Sequence, residues 1–365
     1  MIYFDHNATT AIRPEVIDLI TQIMRETGNA SATHGAGRRA SHHIEQAREQ
    51  VAKAVNTRPA QVIFTGCATE SINTILKTFK GERILSCANE HAAILDCGQA
   101  ELEIIPVDGN GLIDMSVLES KLQTEPKTAL VSMIHVNNET GVIQPIQPVA
   151  DLVHKYGSLL HVDAVQALGK IPVDFTGSGA DYMSLSAHKF GGPQGVGAFV
   201  FAAQKPIRPL LRGGKQEKRQ RAGTSNVAGI AGMGLAAEMA ITNMDTYTQL
   251  AAFRDDIETR LSDTLDGITI NGQTADRVGN TISLSCQGVA NTVQVMSLDL
   301  EKICVSVGSA CSSGVAKPSH AITALGVSDE YALSTIRISL GWNTTKDDVE
   351  TFINAYIKII NRLRK

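Results

Sequence analysis

Short apolar runs separated by amphipathic segments organise the N-terminal half of the chain. "QVIFTG" (61–66), "RILSCA" (83–88), "EIIPVD" (103–108), "TALVSMIHV" (128–136), "SLLHVDAV" (158–165), "YMSLS" (182–186) and "GAFVFA" (197–202) are continuous apolar stretches of strand length. Between the first five lie helical patterns, "TESINTILKTF", "AAILDCGQAE", "SVLESKLQ" and "PVADLVHKYG". Strand and helix alternating in this way predict an α/β fold with a mainly parallel sheet covered by helices on both faces. From about Asn226 the pattern changes: helices near 226–241 and 245–265 lead into "NTISLSC", "CVSVG" and "TIRISLG", closed by a helix from Lys346 to Leu363. That is the pattern of a smaller α+β unit, and 365 residues exceed what one hydrophobic core usually serves.

Composition narrows the function classes. A formal net charge of -4 and a pI near 6.2 argue against a general nucleic-acid binder. The opening "MIYFDHNATT" has no basic stretch leading into an apolar one, and no run of about 18 apolar residues follows, so no membrane association and a cytoplasmic location are expected. The six cysteines, Cys67, Cys87, Cys97, Cys286, Cys304 and Cys311, contain no C-x-x-C pair. No intrinsic metal site is expected, and each cysteine taken singly reads as a small buried hydrophobe.

Ligands of open α/β sheets sit at the carboxyl ends of the strands. After "QVIFT", "GCATESIN" opens a helix with Thr69; free N–H groups there suit a phosphate, although a helix cap alone accounts for a threonine equally simply. Asp163 ends an apolar strand, with Gln166 three residues on, and a buried carboxylate needs a partner: a protonated ring nitrogen or an arginine. After "YMSLS", Ser186, His188 and Lys189 enter a Gly-rich loop. A lysine desolvated in a cleft becomes a neutral nucleophile, whereas a lone lysine on a surface is a solvated charge. A phosphate site, an acid and a lysine at the ends of one parallel sheet make up the working parts of a pyridoxal phosphate pocket.

The motifs "FDHNATT", "GNASATHGAGRRA", "FTGCATES", "NEHAAIL", "HVNNETGVIQPI", "HVDAVQALGKIPVDF", "SLSAHKFGGPQGVG", "RPLLRGGKQEKRQRAGT", "GSACSSG", "KPSHAITALG" and "TIRISLG" stand in an order that resembles the cysteine desulfurases. These are pyridoxal phosphate enzymes of the class V aminotransferase type, and the resemblance runs from Phe4 to Gly341. It implies a fold type I transferase. Residues 1–14 would join the small domain, 15–245 would form the large cofactor-binding domain, and 246–365 a small α+β domain carrying the nucleophile. By resemblance Lys189 is the Schiff-base lysine, His91 stacks on the cofactor ring, Asp163 pairs with the pyridinium nitrogen and Gln166 bonds the phenolic oxygen. Thr69, Ser186 and His188 match phosphate-binding positions, Ala68 matches a cofactor-binding one, and Thr224 matches a phosphate position supplied by the second subunit of a homodimer. Asn138 and Arg337 match residues that hold the substrate amino acid, with Asn138 also beside the cofactor.

Cys311 resembles the nucleophile that takes sulfur from L-cysteine as a persulfide and leaves L-alanine. That sulfur would supply iron–sulfur cluster assembly or tRNA thiolation, through a scaffold or sulfur-acceptor protein, with Cys311 as a transient iron–sulfur ligand when a scaffold is docked. Attack requires thiolate, and the small residues of "SVGSACSSG" suit a loop that carries its cargo outward. A selenocysteine lyase or an aminotransferase of the same fold is the alternative within enzymes, and a silent sulfur-relay protein the alternative outside them. The basic stretch "RGGKQEKRQRAGT" reads as a solvated loop near the dimer interface, and His42 and His43 as solvated. "GNASATH" has Ala30 where a proline is usual, "SVGSAC" has Val307 where a serine is common, and Lys365 follows the last helix without the tail that relatives use to dock a scaffold, which leaves the partner open.

Overall fold

The computed structural model describes residues 1–98, 101–308 and 317–365. Seven strands form one sheet in the order Val62–Thr65, Gly197–Phe201, Tyr182–Ser186, Leu159–Asp163, Leu130–Ile134, Ile84–Cys87, Leu102–Ile105. Every residue of Val62–Thr65, Ile84–Cys87, Leu130–Ile134 and Tyr182–Ser186 is buried, as expected of strands covered on both faces. Pairing is parallel from Leu102–Ile105 across to Tyr182–Ser186. Gly197–Phe201 runs antiparallel to both its neighbours. Only ten residues join it to Ser186, too few for the helical crossover a parallel partner needs.

Two expected elements are shorter than the sequence pattern suggests. "AAILDCGQAE" yields a helix only over Ala92–Leu95, with Gly98 at φ +72° beyond it; Gln99 and Ala100 lie outside the described residues. "CVSVG" contributes the two-residue strand Ile303–Cys304 and a single bridge from Ser306 to Arg337.

The helix Val227–Thr242 packs into the main core through Ile230, Met233, Ala236, Ala237 and Ala240, on the sheet side of the break the composition suggests at Asn226. Its glycines permit close approach. A Cβ on Gly234 would lie 2.5 Å from the Ala47 Cα in helix Gly35–Ala54, and one on Gly232 would meet Ile20 of helix Pro14–Met24 at 2.7 Å.

A second core holds a three-stranded antiparallel sheet, Thr335–Ser339, Thr281–Cys286 and Ile268–Ile270. Helices Asp245–Thr264, Asn291–Leu300 and Lys346–Leu363 contribute to it. The chain's opening stretch joins this core. Ile2–Tyr3 pairs with Ile303–Cys304, and Phe4 is buried edge-on against Phe352, a burial worth about 1.5–3 kcal/mol. The next residues, Asp5 to Thr10, then cross to the main sheet, where Thr10 donates its amide to the His188 carbonyl.

Candidate active site

Strand ends from the main sheet, the opening stretch and the second core enclose a cavity of about 480 Å³. That volume suits a small cofactor with its substrate. Ala68, Thr69, His91, Asn138, Asp163, Gln166, Ser186, His188, Lys189 and Arg337 all line it. Thr224 does not line it and is exposed on this chain. Cys311 lies outside the described residues.

At one end, helix Ala68–Thr78 opens toward the cavity. Cys67 rather than Thr69 is its N-cap, and no side chain caps it. Its first amides are therefore open to an anion. A Cβ on Gly197 would lie 2.6 Å from the Cys67 carbonyl carbon, so the glycine lets this turn seat against the sheet. Ser186 is buried with no hydrogen bond from its hydroxyl among the described residues. The His188 Nδ1 sits 3.2 Å from the Thr9 hydroxyl, and burial, with Lys189 adjoining, lowers its pKa to about 4.

Asp163 is the buried acid of the site. Its Oδ1 accepts the Val165 amide at 3.0 Å, and no cation pairs with it among the described residues. The arginine partner open to it from sequence is absent there. Burial raises its pKa, against the pull of the Val165 amide, His91 and Lys189. A buried carboxylate in this condition fits a protonated ring nitrogen arriving from the cavity.

Lys189 Nζ donates to the Asn7 carbonyl at 2.6 Å and the Ala8 carbonyl at 2.8 Å. Burial, then Arg337, lowers its pKa to about 8, while Asp163 and Asp5 oppose the shift. His91 is the N-cap of Ala92–Leu95, and its Nδ1 accepts the Ala93 amide at 3.0 Å, which leaves Nε2 to carry the proton of the neutral ring. Arg337 donates from Nη2 to Asp5 at 2.7 Å and from Nη1 to the Asn138 carbonyl at 3.1 Å. Its Nε is buried without a partner. A guanidinium held this way has donor capacity left for a substrate carboxylate.

Residues 2–352 match the family described as Aminotransferase class-V. A cysteine desulfurase from Dictyoglomus turgidum is 40% identical over the whole chain and 95% of its own length. The solved NifS-like protein of Rickettsia africae is 35% identical, covers 99% of both chains and superposes with a TM-score of 0.94. The structure titled "SspA in complex with cysteine" is 29% identical over 93% of this chain and 99% of its own, with a TM-score of 0.80.

The chain belongs to the cysteine desulfurases.

Cysteine desulfurases depend on pyridoxal phosphate, and the cavity fits that group on the two observations that bear most directly: an unpaired buried carboxylate and an uncapped helix start. Sequence reasoning missed several residues of this desulfurase's cavity, among them Asp5, Asn7, Glu139 and His320. "FDHNATT", "HVNNETGVIQPI" and "KPSHAITALG" flagged the three stretches that hold these residues without assigning them a role. Glu139 is buried, accepts the Ser319 hydroxyl at 2.6 Å and has its pKa raised by burial. The Gly308 Cα packs against it so closely that a Cβ there would lie 2.3 Å from its Oε2. The basic loop is solvated at Arg212, Lys215, Lys218 and Arg219, as expected, and is tied down at two other side chains. Glu217 is buried with Arg48 on it at 2.8 Å, and Arg221 pairs with Glu70 at 2.9 Å. His42 is exposed, whereas His43 bonds Glu26 at 3.3 Å.

Proposed function

We propose that this cavity converts L-cysteine to L-alanine, with its sulfur passed to Cys311 as a persulfide. The observation that supports the reading is the convergence of Lys189, Asp163 and Arg337 on one cavity. Lys189 would hold pyridoxal phosphate covalently, the Ala68–Thr69 turn with Ser186 and His188 its phosphate, Asp163 its ring nitrogen, Gln166 its phenolic oxygen and His91 its ring. When bound, the cofactor supplies an electron sink for the substrate's α-carbon.

The chain's own groups do the rest. Arg337 and Asn138 orient the amino acid, with Arg337 gripping the carboxylate. Lys189, whose lowered pKa leaves a usable fraction of neutral amine, takes the α-proton, with the His91 Nε2–H as a hydrogen-bond donor in the same cavity. Asp163 holds the ring nitrogen's proton in place. The Cys311 thiolate attacks the substrate sulfur: the S–S bond forms, the C–S bond breaks, and the carbon side keeps the electron pair and takes up a proton as alanine. A second copy of the chain would bring Thr224 to the site, and a sulfur-acceptor or iron–sulfur scaffold protein would unload Cys311. Residues 15–245 then act as the cofactor-binding domain and 246–365, with 1–14, as the smaller one. Among the described residues no single helix is long and apolar enough to cross a membrane; we place the enzyme in the cytoplasm.

The test is sulfide and alanine release from L-cysteine under a reductant, comparing the protein with Cys311→Ala and Lys189→Ala. Equimolar sulfide and alanine, lost in both variants, is expected. Full turnover by Cys311→Ala would refute the persulfide route, and a pyridoxal-loaded protein that makes no alanine would refute the substrate.

A further inference from the structure

Lys170 is buried, yet among the described residues no carboxylate pairs with it. An unpaired buried lysine is costly, and a methionine would fill the same space without that cost. What it touches is specific. Its Nζ donates to the Asn7 Oδ1 at 2.8 Å and to the Gln166 Oε1. With both amide oxygens drawn to one donor, the amide nitrogens must face elsewhere. The Gln166 Nε2 donates to the Asn7 carbonyl at 2.8 Å, the same carbonyl that accepts Lys189. The Asn7 Nδ2 donates to the Asn138 carbonyl and the Thr281 hydroxyl.

We propose that Lys170 is a positioning residue: it fixes the Gln166 amide with its nitrogen toward the cavity, as an oriented donor for the phenolic oxygen of pyridoxal phosphate. The inference rests on the cofactor reading above and deepens it. The titratable groups that face Lys170 are His6, Lys189 and Arg337, none of them an acid. Burial, Lys189 and Arg337 all push its own pKa well down, and two N–H bonds serve the two oxygens whether the amine is charged or neutral. Without Lys170 the Gln166 amide loses the donor that holds its oxygen, and among the described residues only the Asn7 carbonyl opposes its turning that oxygen toward the phenolate. A less stabilised phenolate favours the protonated chromophore, so its titration midpoint moves up.

The experiment titrates the visible absorbance of the holoenzyme against pH for wild type, Lys170→Met, Lys170→Gln, Gln166→Leu and the double variants. Gln at 170 accepts as readily as it donates, so it too stops dictating the orientation. Either folded, cofactor-bearing variant, checked by circular dichroism, carries the test. The midpoint is expected to rise by about one pH unit, the worth of one hydrogen bond to a charged oxygen. In the Gln166→Leu background the same substitution should add nothing. An unchanged midpoint in a folded variant overturns the proposal. A full shift that persists without Gln166 overturns it as well. A wild-type protein with no visible band after incubation with pyridoxal phosphate overturns the cofactor reading and the proposal with it.

Discussion

Lys189 must be an unusually reactive amine even before it meets its cofactor. Its pKa of about 8, against 10.5 for an unperturbed lysine, leaves about one amine in ten neutral at pH 7, compared with about one in three thousand. The reactive form is thus enriched about 300-fold. The assay is trace acetylation of the cofactor-stripped protein with acetic anhydride across pH, read by peptide mass spectrometry. Lys189 labelling should rise with a midpoint near 8, well before the surface lysines. Arg337→Gln removes a cation that lowers this value, so the midpoint should move up; Asp163→Asn removes an opposing acid, so it should move down. A wild-type midpoint above about 10, or an upward shift in Asp163→Asn, would refute the electrostatic account. The same depression carries a stability term. The unfolded chain binds a proton that folded Lys189 does not, so stability lost to this residue returns as pH rises from about 8 toward 10.5.

Three further expectations follow from packing and charge. Arg337→Lys loses the forked geometry while keeping the charge, and steady-state kinetics should show KM for L-cysteine raised by about tenfold or more with the visible band retained. Glu217→Ala strips buried Arg48 of the carboxylate that meets both its terminal nitrogens and leaves the Phe64 amide unpaired, a loss of about 3–5 kcal/mol visible as a lower melting temperature. His161, fully buried between the Ser132 and Ser184 hydroxyls with a pKa lowered by burial to about 3, should keep neutral-ring NMR shifts down to pH 4.5; titration near 6.5 would show the strand pocket to be wet.

The strands were legible because a parallel sheet covered on both faces buries every position and so selects short, largely apolar runs without alternation, and "YMSLS" matches Tyr182–Ser186 residue for residue. The direction of the strand next to the sheet's edge was not. The reversal at Gly197–Phe201 follows from a short connection whose path an apolar pattern does not encode. Helix length after His91 was overread because Ala, Ile and Leu continue the period, while Gly98 adopts a left-handed backbone that ends it. At the site, the residues at strand ends could be named from their place in the pattern. Asp5, Asn7 and Lys170 could not, because Asp5 meets the Arg337 guanidinium and Asn7 the Lys170 amine, and contacts between side chains so far apart in the chain leave no periodic trace. Glu139 was hidden for a different reason: "HVNNETG" reads as a polar turn, and only the fold buries it.

The stretch from Phe4 to Asn7 leaves the ribosome hundreds of residues ahead of its partners Ser339 and Phe352. At about 5–20 residues per second, it waits on the order of twenty seconds to a minute for them to be made. Lys189 is translated long before the Asn7 carbonyl it bonds is held in place by Thr281 and Ser339. A nascent chain can therefore assemble its central sheet while the lysine still lacks its two carbonyl acceptors. Cofactor capture in the cell should begin only once translation has passed the last strand, which makes premature termination beyond the sheet a route to folded but empty protein.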